Sequence, residues 1–167
     1  MIELHFLRHA HAGDPEAWDG PDAARPLSDK GEKQADRLGR FLAGVRFAPD
    51  AIITSPKLRA RQTAEIVAGH LGISVAEDDR LASGFDVATV DAILADAGDP
   101  SRPVLVGHDP DFSDIVGALS GSAGLTMRKG AIIRIDIERP LAEGAGELAW
   151  LIPPELLKPR TGERDAG

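Results

Sequence analysis

The sequence predicts an α/β fold: a three-layer α/β/α sandwich on a mainly parallel sheet, with an antiparallel edge strand near the C-terminus. Three observations carry this expectation. Short apolar runs alternate with longer segments of helical apolar spacing along the 167 residues. The inner runs at 51–54 and 103–106 are apolar without alternation, as strands covered on both faces are. The last two strand-like segments are separated only by a Gly-rich turn, the kind of connection that joins antiparallel neighbours.

Taken in order, residues 2–7 read as a strand, with Ile2, Leu4 and Phe6 on one face and Glu3 and His5 on the other. A polar loop over 11–29 leads to a helix on Ala35, Leu38, Phe41, Leu42 and Val45, with Asp29 and Glu32 as the expected capping pair. Residues 51–54 form a buried strand. Ser55-Pro56 then predicts an N-cap followed by proline at the first helical position, and Ala60, Ala64, Val67, Ala68 and Leu71 mark the inner face. A brief strand at 74–76 precedes a helix on Val87, Val90, Leu94 and Ala97. After the strand at 103–106, Asp109-Pro110 is expected to start a helix on Phe112, Ile115, Val116 and Leu119. Ile133, Ile135 and Ile137 alternate with charged residues, and 148–152 forms the last strand. One domain is expected over 1–157, with a polar tail over 158–167.

The absence of cysteine excludes disulfides, thiol catalysis and a thiolate-ligated zinc site. A formal charge of −8 argues against nucleic acid or an anionic membrane as partner. The N-terminus has neither a basic start nor a long apolar run, so no signal peptide or membrane span is expected, and the expected compartment is the cytoplasm. If the ligand is an anion, positive residues must gather locally against the overall field.

They do so at strand ends. The first strand ends at Arg8-His9, the second at Ser55 with Arg59 in the next helical turn, and the fourth at Gly107-His108. Ligands of open α/β sheets bind outside the carboxyl ends of the strands, so three segments deliver two arginines and two histidines to one rim. The N–H groups of the two helix starts are expected to attract an anion further. A histidine fixed beside arginines suits attack on a phosphoryl group: the ring nitrogen is the nucleophile and the guanidinium holds the oxygens.

Arg8-His9, the segment from Ser55-Pro56 through Arg59 to Gln62-Thr63-Ala64, and Val106-Gly107-His108 together resemble the histidine phosphatase (phosphoglycerate-mutase-like) superfamily. The stretch Arg25-Pro26-Leu27-Ser28 and the closing Trp150-Leu151-Ile152-Pro153 are similar to its SixA-type phosphohistidine phosphatases. The resemblance implies His9 as nucleophile, Arg8 and Arg59 as phosphate clamps, His108 as a second histidine on the phosphoryl oxygens, and Arg25 as a further phosphate contact. It also implies a phosphohistidine-bearing signalling protein of the histidine phosphotransfer type as partner, and phosphate or another oxyanion in the site. No metal or other cofactor is expected, because the cations already supply the charge, and a monomer is expected.

Two departures stand out. Ala10 occupies the position where the family usually has glycine. Many relatives carry a glutamate general acid after the third strand, where this chain reads Leu81-Ala82-Ser83. An alkoxide leaving group needs a proton donor, whereas an imidazole, with a pKa of about 6.5, is easily protonated near neutrality. The missing acid therefore favours P–N over P–O cleavage. Asp109, Asp14 and Asp86 are the candidate carboxylates for proton transfer. A small-molecule phosphomonoesterase is the alternative function. A module that only binds phosphoproteins fits less well, because binding alone would not need two histidines. The short connection between the third and fourth strands leaves little material for a lid, although the 11–28 loop could fold over the site.

Overall fold

The computed structural model describes residues 1–160. The strands are β1 (Ile2–Arg8), β2 (Ala51–Thr54), β3 (Val75–Glu77), β4 (Pro103–Gly107), β5 (Ile132–Ile137) and β6 (Glu147–Ile152). The longer helices are α1 (Asp29–Gly44), α2 (Leu58–Leu71), α3 (Val87–Asp96) and α4 (Asp111–Ser120). Six strands form one sheet in the order β3-β2-β4-β1-β5-β6. The first four in that order are parallel, and β5 and β6 add as antiparallel neighbours at the β1 side. The expected architecture is what the chain adopts. Of the tail expected over 158–167, residues 161–167 lie outside the described residues.

Two apolar cores explain the three layers. On one face, Leu38 and Leu42 of α1 and Ala60, Ala64 and Val67 of α2 pack on Leu7, Ile52, Val104 and Val106. On the other, Val90 and Leu94 of α3 and Phe112, Val116 and Leu119 of α4 pack on Leu4, Phe6, Leu105 and Ile133. Phe6 and Phe112 meet edge to face, with ring centroids 5.2 Å apart and both side chains fully buried. Burial of each such ring stabilises the fold by about 2–3 kcal/mol. No helix among the described residues is long and apolar enough to cross a membrane.

This layering positions the site. The chain leaves β1 toward α1 on one face and leaves β4 toward α4 on the other, although the two strands are parallel neighbours. Such a switch point opens a crevice at the carboxyl end of the sheet. Register levels the crevice floor: Arg8 pairs with Gly107 and Thr54 with Val106. The ladder runs one residue further, with His9 N–H donating to the Gly107 carbonyl and Ser55 N–H to the Val106 carbonyl, both at 2.9 Å.

Three expected helix starts are corrected. The cap of α1 is Ser28, whose hydroxyl accepts from Gly31 N–H at 3.1 Å, because that hydroxyl is tied to the His11 carbonyl on the neighbouring loop. Gly31 is required there: a Cβ on it would stand 1.9 Å from the His11 carbonyl oxygen. Helix α2 begins at Leu58 with Lys57 as its cap, two residues later than Ser55-Pro56 implied. Helix α4 begins at Asp111, and the Asp109 carboxylate accepts from Ser113 N–H and Oγ.

Candidate active site

The crevice is a cavity of about 310 Å³ lined by the predicted Arg8, His9, Arg25, Arg59 and His108. All five are largely buried, which is unusual for arginine and requires partners.

His9 and His108 face each other with ring centroids 5.2 Å apart. The Nδ1 of His9 lies 2.7 Å from the Ala10 carbonyl, which can only accept, so Nδ1 carries the proton and Nε2 keeps its lone pair. Burial, reinforced by the charges of Arg59, Arg8 and Lys129 and opposed by the Ala10 carbonyl, pushes the His9 pKa down to about 3. The ring is therefore neutral and nucleophilic at physiological pH. Ala10, at the position where glycine was the family norm, is fully buried and has no positive φ, so alanine fits without strain. Its N–H donates to Thr63 Oγ1 at 3.1 Å.

His108 has a different environment. Its Nε2 lies 2.7 Å from Ser55 Oγ, and the same oxygen accepts from Lys57 N–H at 3.2 Å. Ser55 thus orients the second histidine, a use that displaces it from the capping role its sequence position suggests. Burial first, then the His9 and Arg59 neighbours, holds the His108 pKa down to about 3.

Arg8 and Arg59 are held by their outer nitrogens, and Arg25 by Nη1 and Nε. Arg8 Nη1 donates to the Met127 carbonyl at 2.7 Å and lies 3.5 Å from Asp109 Oδ2. Arg59 donates from Nη1 to the Asp22 carbonyl and from Nη2 to Asp22 Oδ2, each at 2.9 Å. Arg25 donates from Nη1 to the Ala12 carbonyl at 2.8 Å and from Nε to Asp22 Oδ1 at 3.1 Å. Arg8 Nε, Arg59 Nε and His108 Nδ1 are buried without a protein partner among the described residues. A buried polar group left unpaired costs about 1–3 kcal/mol, so these atoms suit an oxyanion.

Several site residues escaped the sequence reading. Lys57 and Lys129 line the cavity, and burial with the nearby Arg8, Arg25 and Arg59 pulls the Lys129 pKa below its ordinary value. Lys129 arrives because β5 runs antiparallel from the end of β1, so the turn before β5 shares the rim; Gly130 N–H donates to the Arg8 and His9 carbonyls. The expected antiparallel edge was the available signal. Ser83 does line the wall, beside Ala82.

Of the candidate carboxylates, Asp109 lines the cavity, and so does Asp111, which sequence reasoning passed over; Asp14 and Asp86 do not. Asp14 caps the 3-10 turn Pro15–Ala17, and Asp86 caps α3. At the start of α4 the N–H groups of Phe112, Ser113 and Asp114 are bonded locally and are not offered to an anion. The 11–28 loop forms one wall through Pro15 and Arg25.

One prediction follows from the depressed histidines. An anion beside His108 and His9 raises their pKa values, so binding takes up protons and affinity rises as pH falls toward 5. Sulfate, whose charge is constant across this range, is expected to bind more tightly at pH 5 than at pH 8 by calorimetry, with proton uptake revealed by changing the buffer. A Kd independent of pH would exclude this coupling.

The comparisons with known proteins agree with the geometry. The family model described as histidine phosphatase superfamily (branch 1) matches residues 4–83. An uncharacterized protein of Picosynechococcus sp. is 36% identical over 166 residues, covering 95% of this chain and 100% of that relative. The solved structure of the protein histidine phosphatase SixA complexed with tungstate is similar with a TM-score of 0.81 at 25% identity, over 94% of this chain and 100% of that one. A mycobacterial glucosyl-3-phosphoglycerate phosphatase in complex with VO3 shares the fold, with a TM-score of 0.66 at 18% identity over 90% of this chain and 98% of that one. The chain belongs to the histidine phosphatase superfamily, whose members are phosphatases.

Proposed function

We propose that this phosphatase acts without a metal, through a phosphohistidine formed on His9, on a phosphohistidine carried by another protein. The observation that carries the reading is the neutral His9 ring, with Nδ1–H on the Ala10 carbonyl and a free Nε2 lone pair among cations. Nε2 forms a bond to phosphorus in line as the bond to the substrate imidazole breaks; that ring, already protonated by solvent on its other nitrogen, keeps the electron pair and leaves as neutral imidazole. Arg8, Arg25, Arg59 and His108 bear the charge on the phosphoryl oxygens. Water then attacks phosphorus, releasing inorganic phosphate and restoring His9. The three arginines supply the charge that a metal would otherwise bring.

The wall of the cavity supports this substrate class. Ala82 and Ser83 offer no acid to an alkoxide, whereas an imidazole leaves without one. The similarity to a protein histidine phosphatase supports the same substrate. Asp111, at the same wall and accepting from Gly84 N–H at 3.0 Å, favours a second reading as a small-molecule phosphomonoesterase with this carboxylate as proton donor. Incubation with a phosphohistidine-bearing protein and with simple phosphomonoesters, both in chelator, separates the two. Faster turnover of the phosphohistidine protein is expected, through an acid-labile phosphoenzyme. Equal or faster turnover of the monoesters would overturn the substrate assignment.

A further inference from the structure

We propose that Asp22 is a positioning residue of the phosphate site, fixing the orientation in which the Arg25 and Arg59 guanidiniums are presented to the substrate. The inference rests on the reading of both arginines as phosphate ligands. Asp22 itself does not line the cavity, so it acts through them. Its two carboxylate oxygens are divided between the guanidiniums: Oδ1 accepts from Arg25 Nε at 3.1 Å and Oδ2 from Arg59 Nη2 at 2.9 Å. The Asp22 backbone carbonyl takes Arg59 Nη1 as well. One N–H on each terminal nitrogen of Arg59 is thereby committed, which fixes the plane of the guanidinium, and its buried Nε has no protein partner among the described residues. Arg25 donates from Nε and from one N–H of Nη1, which leaves the second Nη1 N–H and the Nη2 pair.

The consequence is energetic as well as geometric. A free arginine side chain loses rotamer entropy when it is immobilised, and here that loss occurs during folding rather than on substrate binding. One carboxylate between two guanidiniums also offsets their mutual repulsion, which otherwise acts on Arg59. Asp22 opens the 3-10 turn Asp22–Ala24, three residues before Arg25, so one short turn in the 11–28 loop aligns a clamp on the loop with a clamp on α2. The Asp22 side chain is 55% exposed, and replacing it leaves no void in either core.

Two anions test the assignment without requiring turnover. Sulfate is a tetrahedral mimic of bound phosphate, whereas vanadate forms a five-coordinate adduct on a histidine nitrogen that resembles the in-line transition state. In Asp22→Asn, vanadate affinity is expected to fall about 10- to 100-fold while sulfate affinity changes only a few-fold, since the removed negative charge offsets the lost ordering for an anion that makes no in-line contact with His9. Asp22→Glu keeps the charge but moves it by one methylene, and it is expected to lose vanadate affinity too. Equal loss of both anions, no loss of either, or wild-type vanadate binding in Asp22→Glu would each overturn the positioning role. A wild-type protein that binds both anions but leaves phosphohistidine intact would defeat the substrate reading and leave the Asp22 result standing.

Discussion

His9→Ala is expected to remove the acid-labile phosphoenzyme entirely and to lower turnover on the order of 10⁴-fold or more. The size of the effect reflects what is lost. Without Nε2 there is no nitrogen to accept the phosphoryl group, and the covalent route disappears rather than slowing. What remains is the electrostatic pull of Arg8, Arg25, Arg59 and His108 on an oxyanion, acting on direct attack by water. Sulfate binding by the variant reports whether those groups remain in place. Rapid quench with labelled substrate, followed by acid and base treatment of the protein, is the measurement. A label that persists in the variant would remove His9 from the nucleophile's role, because no other ring nitrogen in the cavity combines a carbonyl-held proton with an unbonded lone pair.

Arg59→Lys is the second large effect, expected to cost about 10²–10³ in kcat/KM although the charge is retained. Arg59 satisfies two demands at once. Its terminal nitrogens bind the Asp22 carbonyl and carboxylate, and its Nε remains for the ligand. An ammonium is a single point and cannot do both. A lysine that reaches Asp22 withdraws from the phosphate, and one that reaches the phosphate leaves Asp22 and the 11–28 loop unheld. Steady-state kinetics beside thermal unfolding tests this. Activity within a few-fold of wild type would mean that charge alone suffices.

How legible the site was depends on the range of the signal. Arg8, His9, Ser55, Arg59 and His108 stand where an apolar run stops or a helical spacing starts, and both patterns are written within about ten neighbouring residues. A parallel sheet then levels the carboxyl ends of its strands, so residues far apart in the chain fall on one rim. Ser55 shows the limit of that logic. Its position before proline predicts a cap, yet its hydroxyl lies at hydrogen-bond distance from His108, 53 residues away. The α1 cap moved from Asp29 to Ser28 for a related reason, since the His11 carbonyl on the adjoining loop engages the serine. Lys129 and Asp22 were invisible, because nothing local distinguishes them from ordinary surface charges.

The alternation of elements, the strand ends and the types of residue on the rim were readable from the one-dimensional pattern, because periodicity and chain termination of an element are local properties of the backbone. Which nitrogen of His9 holds its proton, how far burial depresses the two histidines, and which atoms of Arg25 and Arg59 remain for an anion were decided only in three dimensions. Those properties are set by desolvation and by the orientation of partners at 2.7–3.1 Å, whether near in sequence as Ala10 is to His9 and Asp22 to Arg25, or 37 residues away as Asp22 is from Arg59, and no spacing along the chain encodes that orientation.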